Sequence, residues 1–204
     1  MICFDIGANI GEWSKANINS FDKIIAVEAS PITYAELYKN IDNDNIITVN
    51  YAACDNNSED IAFYHSTEMH TASTINKDWL SNENYRFHIK GYTEMTCKTT
   101  TIDNLISTYG VPDLIKIDVE GGEYECIKSL SQKVNLLCFE WASEANDITF
   151  KCLDHLLKLG FTQFSLQIED SYTYRPVDFV DVSKIISFLK LTTPQKDWGM
   201  IWCK

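Results

Sequence analysis

Arginine is nearly missing from this chain: Arg86 and Arg175 are the only two among 204 residues, against 29 acidic side chains and a net charge of −12. So few guanidinium groups leave little to neutralise a phosphate backbone, and nucleic acid is not an expected partner. The acidity is equally explained by a solvated surface. No C-x-x-C pair occurs among the seven cysteines, and Cys3, Cys138 and Cys152 fall in apolar strand or helix patterns. Buried free thiols in a reducing compartment are therefore expected, not disulfides or zinc ligands. No apolar run approaches the roughly 18 residues that span a bilayer, and no basic-then-apolar leader precedes the first strand. Neither a membrane span nor export is indicated, and the expected location is cytoplasmic. The length suits one α/β domain over residues 1–204.

What is present is punctuated by strand tips. An apolar strand (Ile2, Cys3, Phe4) runs into Asp5-Ile6-Gly7-Ala8-Asn9-Ile10-Gly11, and a helical pattern (Trp13 to Asn19) runs out. Gly7 and Gly11 open backbone angles closed to other residues and let a ligand approach, and the helix start offers N–H groups to an anion. The spacing is G-x-x-x-G, not the G-x-G-x-x-G of dinucleotide folds, and Asp5 stands where an amine-bearing ligand could use a carboxylate. A tight structural turn is the alternative. A second strand ends in Glu28-Ala29-Ser30-Pro31, which puts an acid where doubly wound folds hold both ribose hydroxyls. Ser30 and Pro31 also read as the N-cap and first-turn proline of the next helix.

The third tip is Asp113 to Glu123. A strand over 113–119 places Asp118 and Glu120 two residues apart on one face at its carboxyl end, while Glu123 and Glu125 read as solvated acids opening a helix over 123–131. Ligands of open α/β sheets bind at such carboxyl ends. The other expected elements are helix 11–20, strand 23–28, helix 31–41, strands 46–50, 60–65 and 94–99, helix 101–109, strand 134–140, helix 146–159, strand 161–168, helix 181–190 and strand 198–203, a mostly parallel pattern. The 66–93 stretch exceeds an ordinary connection and is the candidate substrate loop. It carries His70, Trp79, Tyr85, Arg86, His88 and Tyr92: rings to stack on a sugar or lipid-linked glycan, imidazoles to take a proton, or else a packed insertion. His65 and His155 lie in strand and helix patterns and read as structural.

D-I-G-A-N-I-G, V-E-A-S-P, T-T-T-I-D-N-L (Thr99 to Leu105) and D-L-I-K-I-D-V-E-G-G-E, in that order, resemble FkbM-type methyltransferases, which use S-adenosylmethionine (SAM) to methylate hydroxyl groups. The match runs from about Ile2 to Phe161, with echoes at Asn50 to Asp55, Ser73-Thr74-Ile75 and Glu140. The family usually has chain before its first strand, whereas here that strand begins at Met1. The resemblance implies a class I SAM-dependent methyltransferase fold: Rossmann-like, doubly wound, a mostly parallel seven-stranded sheet whose last strand inserts antiparallel beside its predecessor. It implies SAM as cofactor, held by Asp5, Gly7, Ala8, Asn9, Gly11, Glu28, Ala29, Ser30, Ala52, Ala53 and Asp118. The expected activity is O-methyl transfer to a sugar, glycan or glycolipid, with Asp118, Glu120, His70 and His88 eligible for catalysis and a loop histidine favoured as base. No metal constellation stands out, although Asp118 with Glu120 could hold Mg²⁺. The N/D-P-P-Y/F motif of amino-group DNA methylation is absent. The alternatives are a nicotinamide-type oxidoreductase, which should show G-x-G-x-x-G, and a non-catalytic protein of the same fold. The acceptor and the oligomeric state are not legible.

Overall fold

The computed structural model describes every residue except 57–59, 87 and 174, and of His70 the backbone alone. Its strands are β1 (Ile2–Ile6), β2 (Lys23–Glu28), β3 (Ile46–Asn50), β4 (Ala52–Ala53), β5 (Ile61–Ser66), β6 (Tyr92–Cys97), β7 (Thr99–Thr100), β8 (Leu114–Ile117), β9 (Leu136–Ala142), β10 (Phe164–Ile168) and β11 (Trp198–Cys203). Its helices are α1 (Glu12–Asn17), α2 (Pro31–Asn40), α3 (Lys77–Ser81), α4 (Ile102–Tyr109), α5 (Glu123–Ile127), α6 (Asn146–Lys158) and α7 (Val182–Leu189). Seven strands form one sheet in the order β10-β11-β9-β8-β1-β2-β3. Within it β9, β8, β1, β2 and β3 are parallel, and β11 runs antiparallel to β10 and β9. The expected doubly wound sheet with one antiparallel strand is thus present.

The strands read as continuous apolar runs because both sheet faces are covered. Alternate residues divide between two cores: Phe4, Ile6, Ile25, Val27, Ile115, Ile117 and Phe139 join Leu105, Ile127 and Leu153 on one side. Cys3, Ile24, Ala26, Leu114 and Cys138 meet Trp13 and Leu37 on the other. Each such Leu, Ile, Val or Phe side chain contributes about 1.5–3 kcal/mol of burial. All seven cysteines are free and buried. Among the described residues no helix is long and apolar enough to cross a membrane.

Three expectations are corrected. The strand expected to reach Val119 stops at Ile117: Asp118 N still donates to Ile6 O at 3.0 Å, but Glu120 and Gly121 then take φ of +54° and +83° and turn the chain. The helix expected to reach 131 ends at Ile127, where Ser129 N and Leu130 N tighten onto Cys126 O and Ile127 O. The strands near 60–65 and 94–99 pair with each other as an antiparallel β5–β6 hairpin outside the main sheet. Between them, 66–93 is not wholly irregular, since it holds a 3₁₀ turn at His70–Ala72, helix α3, and a small core of Ala72, Trp79, Leu80 and Ile89 against Ala142 and Ala145.

Candidate functional site

The β1 tip and the β2 tip are stitched together by backbone. Gly7 N and Ala8 N both donate to Val27 O at 2.9 Å, and Asn9 turns back with φ +50°. Asn9 N then donates to Glu28 Oε2 at 3.0 Å, while Ser30 N donates to Glu28 Oε1 at 2.8 Å. Gly7 has φ +79°, and a Cβ there would lie 1.7 Å from the Asp118 carbonyl oxygen, so only glycine lets β1 and the segment after β8 approach this closely. Gly11, at φ +89°, does something else: a Cβ would press on Leu37 Cδ1 at 2.8 Å, so its role is to seat α1 against α2.

Asp5 does not face a ligand as expected. It is fully buried, its Oδ2 accepts from the Ser14 hydroxyl at 2.6 Å, and its Oδ1 lies 3.4 Å from Lys116 Nζ. Lys116 also reaches Asp118 Oδ2 at 3.2 Å and Gly7 O at 3.4 Å. Burial pulls this ammonium down, but the charges of Asp118 and Asp5 outweigh it and hold its pKa above the ordinary lysine value. Sequence reasoning passed over Lys116; a lone cation inside the apolar run Leu114 to Val119 was the available signal.

A cleft opens at these tips, lined by Gly7, Asn9, Glu28, Ala29, Ala52, Ala53, Asp118 and Glu120 together with Tyr51, Phe63, Thr71, Ser73 and Ile75. A second, open cavity shares Gly7, Asn9, Thr71, Asp118 and Glu120 and adds Ala8, Glu12, Lys116 and Tyr172. Of the residues expected at the cofactor, Asp5, Gly11 and Ser30 line neither. Ser30 caps α2 by accepting from Thr33 N, and its hydroxyl lies 3.1 Å from His65 Nδ1. His65 in turn lies 3.4 Å from the Ser73 hydroxyl, which ties the β2 tip to the insertion. Glu28 is 7% exposed, and burial raises its carboxyl to about 7 against the pull of the Ser30 and Asn9 amides.

Carboxylate oxygens of Asp118, Glu120 and Glu140 come within 4.8 Å of one another. Asp118 and Glu120 do converge, though by the left-handed turn and not by sharing a strand face. An all-oxygen set of this kind suits a hard cation such as Mg²⁺ as well as it suits a proton. Glu123 is not a solvated acid. It is 4% exposed, and its Oε1 accepts from Val119 N at 3.1 Å and Gly121 N at 3.2 Å, which fixes the turn. Burial raises its carboxyl to about 7. Burial and the neighbouring charges of Asp118 and Glu123 raise Glu120 well above the carboxylate range, and burial with the charges of Glu120 and Asp118 does the same to Glu140.

The insertion supplies the counterweights. Trp79 Nε1 donates to Glu120 Oε2 at 2.9 Å, and Arg86 reaches Glu144 at 2.9 Å and Glu140 at 3.5 Å. Trp79 is 1% exposed and packs against Tyr85, at a tilt, and against Arg86, so its indole belongs to a packed core and does not offer a face to a sugar. His88 is exposed and lines neither cavity, which removes the reason to place a base there. The His70 side chain lies outside the described residues. His155 lies 3.1 Å from Leu130 O, a structural contact as expected.

A family model for the methyltransferase FkbM domain matches residues 5–189. A hexuronic acid methyltransferase, AglP of Haloferax volcanii, is 29% identical over 151 residues, 68% of this chain and 55% of that one. The chain therefore spans about half the length of this curated relative. Among solved structures, a precorrin 8w decarboxylase from Methanobacterium thermoautotrophicum matches with TM-score 0.50 and 10% identity over 100% of this chain and 81% of that one, a likeness of fold. A precorrin-6y C5,15-methyltransferase from Geobacter metallireducens matches with TM-score 0.49 and 11% identity, over 100% and 79%.

Proposed function

This chain belongs to the FkbM methyltransferase family and has the class I fold of SAM-dependent methyltransferases, and from that premise we propose that it transfers a methyl group from SAM to a hydroxyl of a sugar, free or within a glycan or glycolipid. The observation that carries the reading is one cleft at the carboxyl ends of β1, β2 and β8 whose lining includes Glu28, Asp118 and Glu120 together. The residues fit the cofactor. Glu28 keeps lone pairs for the ribose hydroxyls beyond those given to Asn9 N and Ser30 N. Ala29, Ala52, Ala53 and Phe63 offer an apolar slot for the adenine, and Gly7 and Asn9 with Asp118 take the amino-acid end. When bound, SAM supplies a methyl group on a positively charged sulfur.

Most of the acceleration comes from holding the acceptor oxygen in line with that methyl group. Glu120 accepts the hydroxyl proton, a contribution of roughly 10²–10⁴-fold. Burial and the neighbouring acids raise its pKa, and a more basic carboxylate takes a proton more readily than an ordinary one. Asp118, held 3.2 Å from Lys116 Nζ, stands beside the site of the sulfonium. The AglP relative is described as acting on a hexuronic acid. In this chain the reacting end is ringed by Glu12, Asp118 and Glu120, and its one lysine is already paired with two acids. We therefore infer a neutral sugar in preference to an anionic one.

The test is calorimetric binding of SAM and of NADH, followed by incubation of SAM with a methyl hexoside and the matching methyl hexuronide, read as a one-methyl mass gain. Saturable SAM binding with gain on the hexoside is expected, lost in Glu120→Gln. Binding of NADH alone would favour the oxidoreductase. SAM binding with no transfer across a wide sugar panel would favour a non-catalytic protein.

A further inference from the structure

Helix α3 touches the catalytic turn at two points. Asn76 Nδ2 donates to Gly121 O at 3.0 Å, and Trp79 Nε1 donates to Glu120 Oε2 at 2.9 Å. The indole face lies directly on Gly121: a Cβ there would come within 2.6 Å of Trp79 Cε3 and 2.7 Å of Cδ2. Tyr85 and Arg86 pack on the same ring, with Tyr85 at 5.4 Å between centroids and the Arg86 guanidinium 5.9 Å from the ring centre. The indole is therefore immobilised before it meets the carboxylate. Glu120 sits in the left-handed region at φ +54°, where a non-glycine residue stays only if its surroundings hold it. No described residue donates to its other oxygen, Oε1, and Glu120 lines both cavities.

We propose that Trp79 is the positioning residue of the methyl transfer, its indole N–H fixing Oε2 of Glu120 so that Oε1 is presented to the acceptor hydroxyl. This rests on the reading of Glu120 as the base. The 66–93 insertion then acts through the main sheet's carboxylates and not by stacking on the sugar. A packing role alone needs only the ring; the positioning role needs the N–H, and Trp79→Phe separates the two. The charged groups facing Glu120 are Asp118 on its own turn, Glu123 at the start of α5, Glu140 on β9 and Arg86 from the insertion, and all remain in that variant.

With S-adenosylhomocysteine bound, the five indole N–H signals of ¹⁵N-labelled protein are followed against pH, the Trp79 signal being the one missing in Trp79→Phe. It is expected to titrate with a midpoint above the ordinary carboxylate range and to become insensitive to pH in Glu120→Gln. In turnover on the methyl hexoside, Trp79→Phe is expected to lose about tenfold, one charged hydrogen bond's worth, and to move the acidic limb of the pH profile up by about one unit, with cofactor affinity unchanged. Added to Glu120→Gln it should do nothing further. An indole signal that ignores Glu120 overturns the proposal, as does a Trp79→Phe enzyme whose only defect is a lower melting temperature. If Glu120→Gln alone turns over normally, the base assignment falls and this inference with it; if only Trp79→Phe is silent, the base assignment stands.

Discussion

If Glu28 holds the ribose as proposed, replacing it by alanine removes the acceptor for both ribose hydroxyls while leaving the apolar slot in place. Hydrogen bonds to a charged group are worth about 1.5–3 kcal/mol, so S-adenosylhomocysteine should bind roughly ten- to a hundredfold more weakly. The burial of Glu28 sharpens this into a pH effect. Its carboxyl sits at about 7 in the free protein, and hydroxyl donors prefer the ionised form, so binding must lower that pKa and expel a proton. Affinity should therefore rise with pH up to about 7 and level off above it. One unit below, only about a tenth of the molecules are ionised, and up to tenfold in affinity is lost. Glu28→Gln should bind weakly and without this dependence. Calorimetry at pH 6, 7 and 8, in two buffers of different ionisation heat, measures the affinity and the released proton together. A wild-type affinity that is level across this range, or is unchanged in Glu28→Ala, refutes the ribose assignment.

The same buried acids set the stability of the free protein. Glu28 and Glu123 hold protons up to about 7 in the folded state, whereas the unfolded chain releases them near 4.3, so stability should rise as pH falls from 8 towards 5.5, by an amount on the order of a few kcal/mol. A melting temperature that drops over that interval contradicts it. Lys116→Met leaves Asp5 buried without its cation and should cost about 3–5 kcal/mol in urea unfolding, part of it recovered by adding Asp5→Asn; equal stability of the single variant and wild type argues against the ion-pair role. Gly7→Ala should fail to fold stably, because its methyl group meets the Asp118 carbonyl at 1.7 Å; a variant that melts like wild type would show that this approach is not required.

The strand tips were legible from sequence because each joins an apolar run to residues that do not belong in one. Glycines at 7 and 11, an acid at 28, and carboxylates at 118 and 120 all stand out against Ile, Val and Leu. The turn at Glu120 was not legible, since a period-two pattern continues through Asp118 and Glu120 as if the strand went on. Only Gly121 hinted otherwise. Glu123 was misjudged for a related reason: acids at helix starts are usually solvated, and its backbone partners, Val119 and Gly121, become visible only once the chain has turned. The insertion was the least readable part. Its aromatic residues fit a stacking platform and a packed core equally well, and the choice was made by Glu120 and Glu140, both distant in sequence, which draw Trp79 and Arg86 inward.

The β5–β6 hairpin stands apart from the seven-stranded sheet, so in outline it is a cassette that could be exchanged between relatives. The contacts made by Trp79 and Arg86 limit that freedom. A graft that omits them leaves two desolvated carboxylates in the host sheet without donors, so a transplant from this protein must carry both residues, or else Glu120 and Glu140 must be replaced at the same time.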